Sequence, residues 1–284
     1  MKRMFIFLCM GMVLCAGATA QVINVVDPNE VMKAEPIDEV RFVVQYELTS
    51  VPDTLNPDKT ESETMMLKVG DKSSQYYSYN RFVTDSIFRE KLRTSGRIVK
   101  QQASDSNPGR QTARIYKNYP SGKTTTLDQI VMSRFRCEEE NEIPQWELLP
   151  DTATLLSYPC QKAVCRFKGR DYEAWFTTEI PRGEGPWKLQ GLPGLILKAS
   201  DTQGHYRFEC TGIIRPQAGD MLMFGADNYQ PVSRKDLNTA YKRYAADPLG
   251  YVTATAPNVK VTIMNESGEV QKPKDTPFNP IERN

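Results

Sequence analysis

From Val40 to Leu48 the chain alternates: Val40, Phe42, Val44, Tyr46 and Leu48 are apolar, with Arg41, Gln45 and Glu47 between them. A period of two places the apolar set on one face of an extended strand, which a helix of 3.6 residues per turn cannot do. Met65, Leu67 and Val69 repeat the pattern before Gly70-Asp71, and residues 75–79 read as the returning strand of a first hairpin. Residues 112–119 and 123–137 flank Pro120-Ser121-Gly122 and predict a second hairpin whose far strand runs to Cys137. A third joins 160–167 to 171–178 through Lys168-Gly169-Arg170, and a fourth joins 195–200 to 205–213 through residues 201–204. Helix is sparse: Phe82, Val83, Ile87, Phe88 and Leu92 have helical spacing before Gly96. Ser233 and Asp236 resemble a capping box ahead of Leu237, Tyr241 and Tyr244, up to Asp247-Pro248. The fold class that follows is mainly β: a single curved antiparallel sheet, half-barrel-like, with one or two short helices.

Residues 179–194 interrupt the strands with four Gly, three Pro and one Trp. Proline fixes φ and glycine permits close backbone approach, so this loop is expected to follow one ordered path, with Gly185, Pro186, Gly191, Leu192, Pro193 and Gly194 as structural positions. The run Gly185-Pro186-Trp187-Lys188-Leu189-Gln190-Gly191-Leu192-Pro193-Gly194-Leu195-Ile196-Leu197 resembles the GLPGLI proteins of Bacteroidota. The resemblance extends through Tyr158 to Ala163 and Gly169 to Thr177, and returns at Phe278-Asn279-Pro280-Ile281-Glu282. In that family's pattern Phe176 is usually Tyr and Leu189 usually Phe. The resemblance implies no settled activity, but it does imply genes lying beside TonB-dependent outer-membrane receptors.

Lys2-Arg3, the apolar run Met4 to Leu14 and Ala18-Thr19-Ala20 read as a secretory signal over residues 1–20, cut before Gln21. Leu14 before Cys15 disfavours a lipoprotein. Residues 21–36 are expected to be a flexible segment and 37–284 one domain, since the chain holds no Gly/Ser linker, repeat or low-complexity tract. Without Lys2 and Arg3 there are 34 basic against 35 acidic side chains. That balance points to neither nucleic acid nor an anionic membrane, and no later stretch reaches the roughly 18 to 20 apolar residues of a transmembrane helix. The expected location is the periplasm or the secreted fraction.

No catalytic, metal or cofactor site is legible. A single histidine, His205, follows a predicted turn, and there is no Gly-x-Ser-x-Gly elbow or Cys-x-x-Cys pair. In Gly183 to Lys188, Pro186 removes an N–H that a phosphate loop would need. Glu138 to Glu142 read as a solvated turn, and Glu179 stands where a strand meets the loop. Cys137, Cys160, Cys165 and Cys210 allow three disulfide connectivities. Cys160 and Cys165, an odd number apart, are expected on opposite faces of their strand. Cys137–Cys160 is the favoured link and Cys165–Cys210 the next.

The functional expectation is a non-enzymatic envelope-associated binding or assembly protein, its partner an apolar ligand or a TonB-dependent outer-membrane receptor. Trp187 is the expected anchor, Lys188 and Arg182 the polar contacts, and Trp175, Phe176 and Tyr206 the aromatic surround. A hydrolase built on scattered carboxylates is the alternative.

Overall fold

The computed structural model describes residues 11–15, 34–84, 86, 111–255, 260–264 and 278–283. The strands are β1 (Gly11–Cys15), β2 (Glu35–Glu39), β3 (Phe42–Ser50), β4 (Glu61–Val69), β5 (Ser74–Ser78), β6 (Arg114–Lys117), β7 (Lys123–Ile130) and β8 (Ser133–Glu140). They continue as β9 (Glu147–Leu155), β10 (Tyr158–Phe167), β11 (Arg170–Thr177), β12 (Leu195–Asp201), β13 (Tyr206–Ile214), β14 (Met221–Phe224), β15 (Gln230–Pro231) and β16 (Lys260–Met264). Twelve of them form one sheet in the order β15-β8-β7-β6-β5-β4-β3-β13-β12-β11-β10-β9. Two antiparallel meanders, β3 to β8 and β9 to β13, are joined where β13 pairs with β3, with Phe208 opposite Leu48 and Cys210 opposite Tyr46. Within this sheet, β15 alone of the described strands runs parallel to its neighbour, β8. The sheet does not close into a barrel, and its edges are β15 and β9.

The inward set of the first expected strand, Val44, Tyr46 and Leu48, is buried together with Leu67, Tyr76, Phe208 and Ile196 in the main core. Burying each such side chain contributes about 1.5–3 kcal/mol. The alternation is incomplete because the sheet is covered on both faces here. Val43, Met66 and Tyr77 point the other way and are buried against Val40 and Leu222. The cover is the small antiparallel pair of β2 and β14. Glu35 and Pro36, expected in the flexible segment, therefore belong to a strand; residues 21–33 lie outside the described residues.

The third hairpin turns on Lys168 (φ 47°) and Gly169 (φ 78°), the two consecutive positive values that match the right-handed twist of the flanking strands. Leu156 (φ 49°) and Ser157 (φ 70°) make the same turn between β9 and β10 without a glycine. Lacking that turn signal, and carrying Pro150, β9 escapes sequence reading. The expected strand 123–137 is two strands, β7 and β8, parted at Val131 (φ 55°).

Ser233 caps the helix Arg234–Ala246 by accepting a hydrogen bond from the Asp236 N–H at 3.1 Å. Pro248 then opens another helix, Pro248–Thr255, instead of ending the helical region, because the first turn has no use for the missing N–H. Leu237 and Tyr251 bring this pair of helices down on Ile130, Phe135 and Cys137 of β7 and β8. Residues 79–84 and 86 are helical after β5, and the helix expected through Leu92 lies from residue 87 on outside the described residues. Residues 11–15, inside the expected signal, pair in parallel with β16. No helix among the described residues is long and apolar enough to cross a membrane.

Candidate functional site

The loop 179–194 is held by its own backbone and by one buried lysine. Gly191 N–H donates to Gly183 C=O at 2.7 Å, Leu195 N–H to Ile180 C=O at 3.0 Å and Ile196 N–H to Glu184 C=O at 2.9 Å. Lys117 of β6, fully buried, donates to Gly185 C=O at 2.8 Å and pairs with Glu184 at 2.6 Å. Ser74 Oγ adds a bond to the same carboxylate at 2.9 Å. A Cβ on Gly194 would land on the Thr177 carbonyl, and one on Gly185 would strike Ile196. Gly191 stands at φ +92°, a conformation side chains disfavour. Leu192 is buried in the core while Pro193 is exposed. Trp187 itself has φ +54°, uncommon for a bulky residue and maintained only where the surroundings enforce it.

The Gly169-Arg170-Asp171 turn meets the C-terminal segment. Arg170, 2 % exposed, pairs with Asp201 at 2.6 Å and donates to Ile281 C=O at 3.0 Å, Asn279 Oδ1 at 2.7 Å and Pro280 C=O at 2.5 Å. Tyr206 OH donates to Asn279 C=O at 2.6 Å, and Asn279 Nδ2 donates to Val51 C=O at 2.7 Å. One guanidinium thus fixes residues 278–283 across the open side of the sheet, and the two separated motifs form a single contact. His205 lies beside Arg170 and Arg283. Burial and these two cations lower its pKa against the pull of Asp201.

The segment delivers Glu282 to a buried ion cluster. Lys188 Nζ lies 2.7 Å from Glu282 and 2.6 Å from Glu139, and Arg234 reaches Glu139 at 2.6 Å and Glu282 at 3.6 Å. Burial alone would raise the Glu139 pKa, but Lys188 and Arg234 more than offset it and hold it at about 2. Glu139 is therefore a member of this cluster and not part of a solvated turn. Inward alternation along β8 carries it under the helix, while Glu138 and Glu140 face out.

Between the concave sheet face, Trp187, the helix Arg234–Ala246 and the C-terminal segment lies a cavity of about 240 Å³. Its apolar lining includes Leu48, Met65, Tyr76, Ile115, Trp187 and Phe208, and its polar lining includes Thr112, Asp128, Arg234, Tyr241 and Glu282. Asp128 is 4 % exposed and accepts from Thr112 Oγ1 at 2.5 Å, Gln129 N–H at 2.7 Å and the Tyr241 hydroxyl. Burial raises its pKa in spite of these bonds. Tyr76 carries one of the two buried hydroxyls, with Tyr172, that have no hydrogen-bond partner among the described residues.

Of the expected binding residues, Trp187 and Tyr206 line this cavity. Trp187 is 4 % exposed and packs edge-on against Phe167 at 5.8 Å, so it is both a core and a cavity residue. Phe176 is core only, 1 % exposed. Trp175 lies outside the cavity with Lys162 over its ring at 5.9 Å. Arg182 is half-exposed and pairs with Asp71 at 3.5 Å. Lys188 is engaged by its two carboxylates. Asp128, Arg234, Tyr241 and Glu282 escaped the sequence reading, although Arg234 follows a recognised helix cap and Glu282 belongs to the C-terminal motif.

The four cysteines are free and buried. The Cys137–Cys160 link is absent, because Cys137 packs under the helices and Cys160 lies in the main core. Cys160 and Cys165 share that core instead of facing opposite ways. The burial alternation breaks between them, at the register shift between Gln161 and Ala163. Burial raises the thiol pKa of Cys165 to about 12 and of Cys210 to about 11, so neither has thiolate character near neutral pH.

A family model described as "Protein of unknown function (Porph_ging)" matches residues 166–198, which span β11 and the loop. No curated protein matches the sequence. Among solved structures, the chain is similar to PNGF-II in two crystal forms, P21 and C2, with TM-scores of 0.47 and 0.45 and 13 % identity in each. The matches cover 70 % and 71 % of this chain and 32 % of PNGF-II. The chain thus spans about a third of the length of the structures it matches.

Proposed function

We propose that this chain is a non-enzymatic binding protein of the cell envelope, periplasmic or secreted, that holds a small ligand with an apolar body in the cavity beside Trp187. The observation that carries the reading is the cavity itself: about 240 Å³, lined by both apolar and polar side chains and bounded by both sequence motifs. A dry cavity of about 150 Å³ already takes a benzene-sized guest. Rigid aromatic walls favour binding, because little side-chain freedom is lost. Export rests on the signal-like start, and an accessory role beside a TonB-dependent receptor rests on the GLPGLI resemblance. Removal of residues 1–20 would take away β1 and leave all twelve strands of the main sheet.

The alternative, a hydrolase, draws on Asp128 and Glu282 lining one cavity. Glu282 is already committed to Lys188 at 2.7 Å, and no histidine lines the space, so binding is the better-supported reading.

The test uses the neutral fluorescent probe N-phenyl-1-naphthylamine and the variant Ala113→Phe, placed at a half-buried position that lines the cavity. Binding to the wild type and loss in a variant of unchanged melting temperature support the reading. Absence of binding, or equal binding by both, overturns it.

A further inference from the structure

The charges around the cavity do not balance. Glu139 and Glu282 are matched by Lys188 and Arg234, with Lys168 3.8 Å from Glu139, in a cluster of which Arg234 and Glu282 also line the cavity. Asp128 makes no ion pair among the described residues. Arg234 approaches it, but its Nη2 donates to Glu139 and to Thr126 Oγ1 at 3.1 Å, its Nε donates to Glu139 at 3.1 Å, and its Nη1 faces Glu282. Among the described residues Asp128 therefore has hydrogen-bond donors and the nearby charge of Arg234, but no ion pair. A carboxylate offers about four lone-pair directions. Thr112, Gln129 and Tyr241 use three, so one acceptor position remains.

A buried anion without a countercharge is costly, and the cost falls when a cation is supplied. Tyr76 and Trp187 line the same cavity, and aromatic rings of this kind can attract a cation. Among the described residues, the charged and titratable groups that line this space are Asp128, Arg234, Glu282, Tyr241, Tyr76 and Tyr206. The charge of Arg234 is already shared by two carboxylates, Glu139 at 2.6 Å and Glu282 at 3.6 Å, which disfavours an anionic ligand there.

We propose that the cavity selects primary amines: the ammonium group binds Asp128, and the apolar body lies against Trp187, Phe208 and Tyr76. This deepens the binding function proposed above and rests on it. Burial raises the Asp128 pKa by more than its three hydrogen bonds and the nearby Arg234 lower it.

Three probes share one apolar body and differ in head group: 1-naphthylmethylamine, 1-naphthalenemethanol and 1-naphthoate. Their affinities for the whole protein are read by calorimetry at pH 7. The amine is expected to bind at least about tenfold more tightly than the alcohol, with naphthoate weakest, since a like-charge contact in a buried site costs several kilocalories. Asp128→Asn is expected to weaken the amine at least about tenfold, and more than it weakens the alcohol. Equal affinities for amine and naphthoate overturn the proposal, as does an amine preference that survives in a folded Asp128→Asn protein. If the variant does not fold, the wild-type series decides alone. Binding of all three without preference refutes the amine selection and leaves the binding function standing, whereas binding of none refutes both.

Discussion

Glu139→Gln is the substitution that best probes the ion cluster. The carboxylate is 15 % exposed and lies 2.6 Å from both Lys188 and Arg234. Its pKa falls from an ordinary 4.5 to about 2 in the folded protein. A depression of that size corresponds to about 3 kcal/mol of stability at neutral pH, at 1.36 kcal/mol per pKa unit. The sign follows from proton binding: the unfolded chain takes up the proton first, so the contribution is complete above pH about 5. It then declines as the pH falls toward 2. Asp128, with its raised pKa, acts in the opposite sense, which is why the wild-type pH profile alone does not isolate Glu139. The assay is urea unfolding followed by tryptophan fluorescence, for wild type and Glu139→Gln, at several pH values between 7 and 2.5. The gap between the two proteins is expected to be about 3 kcal/mol at pH 7 and to narrow steadily below pH 4.5. A gap under about 1 kcal/mol at pH 7, the level of an exposed pair, would show that the cluster is solvated. A gap that stays constant with pH would falsify the electrostatic account.

Gly194→Ala is expected to lower the melting temperature more than Gly191→Ala. The first meets the Thr177 carbonyl, whereas the second meets the movable side chain of Ile143 and a φ penalty of about 1–3 kcal/mol; equal melting temperatures for both variants and wild type would mean a loop that yields. Arg170→Met strands Asp201, 1 % exposed, and is expected to cost about 3–5 kcal/mol. It should also release residues 278–283 to proteolysis, and unchanged protection of that segment would refute the clamp. Mass spectrometry of the protein from its native cells is expected to find Gln21 at the N-terminus, and an acylated Cys15 would refute soluble export.

Strand alternation, hairpin turns and the helix cap were legible in the sequence because they depend on residues within a few positions of one another. Val44, Tyr46 and Leu48 enter the core by their own periodicity, Lys168-Gly169 turns the chain through its own φ values, and Ser233 caps through a neighbour three residues away. Even there, tertiary effects intrude: β2 and β14 bury Val43 and Met66 on the face that alternation assigns to solvent. The register shift between Gln161 and Ala163 puts Cys160 and Cys165 into one core. The candidate site had no such local signature. Asp128 comes from β7, Glu139 from β8, Lys188 from the loop, Arg234 from a helix and Glu282 from the C-terminal segment; Asp128, Glu139 and Arg234 look like ordinary charges in their own sequence neighbourhoods, and the motifs that hold Lys188 and Glu282 do not reveal that the two pair. Burial gives them their character, and burial arises only when two meanders join at β3 and β13, the helices dock, and Arg170 draws residues 278–283 across the opening. Local chemistry determined which elements form; low-dielectric enclosure by distant elements decided which of their charges face a cavity and which of them are paired among the described residues.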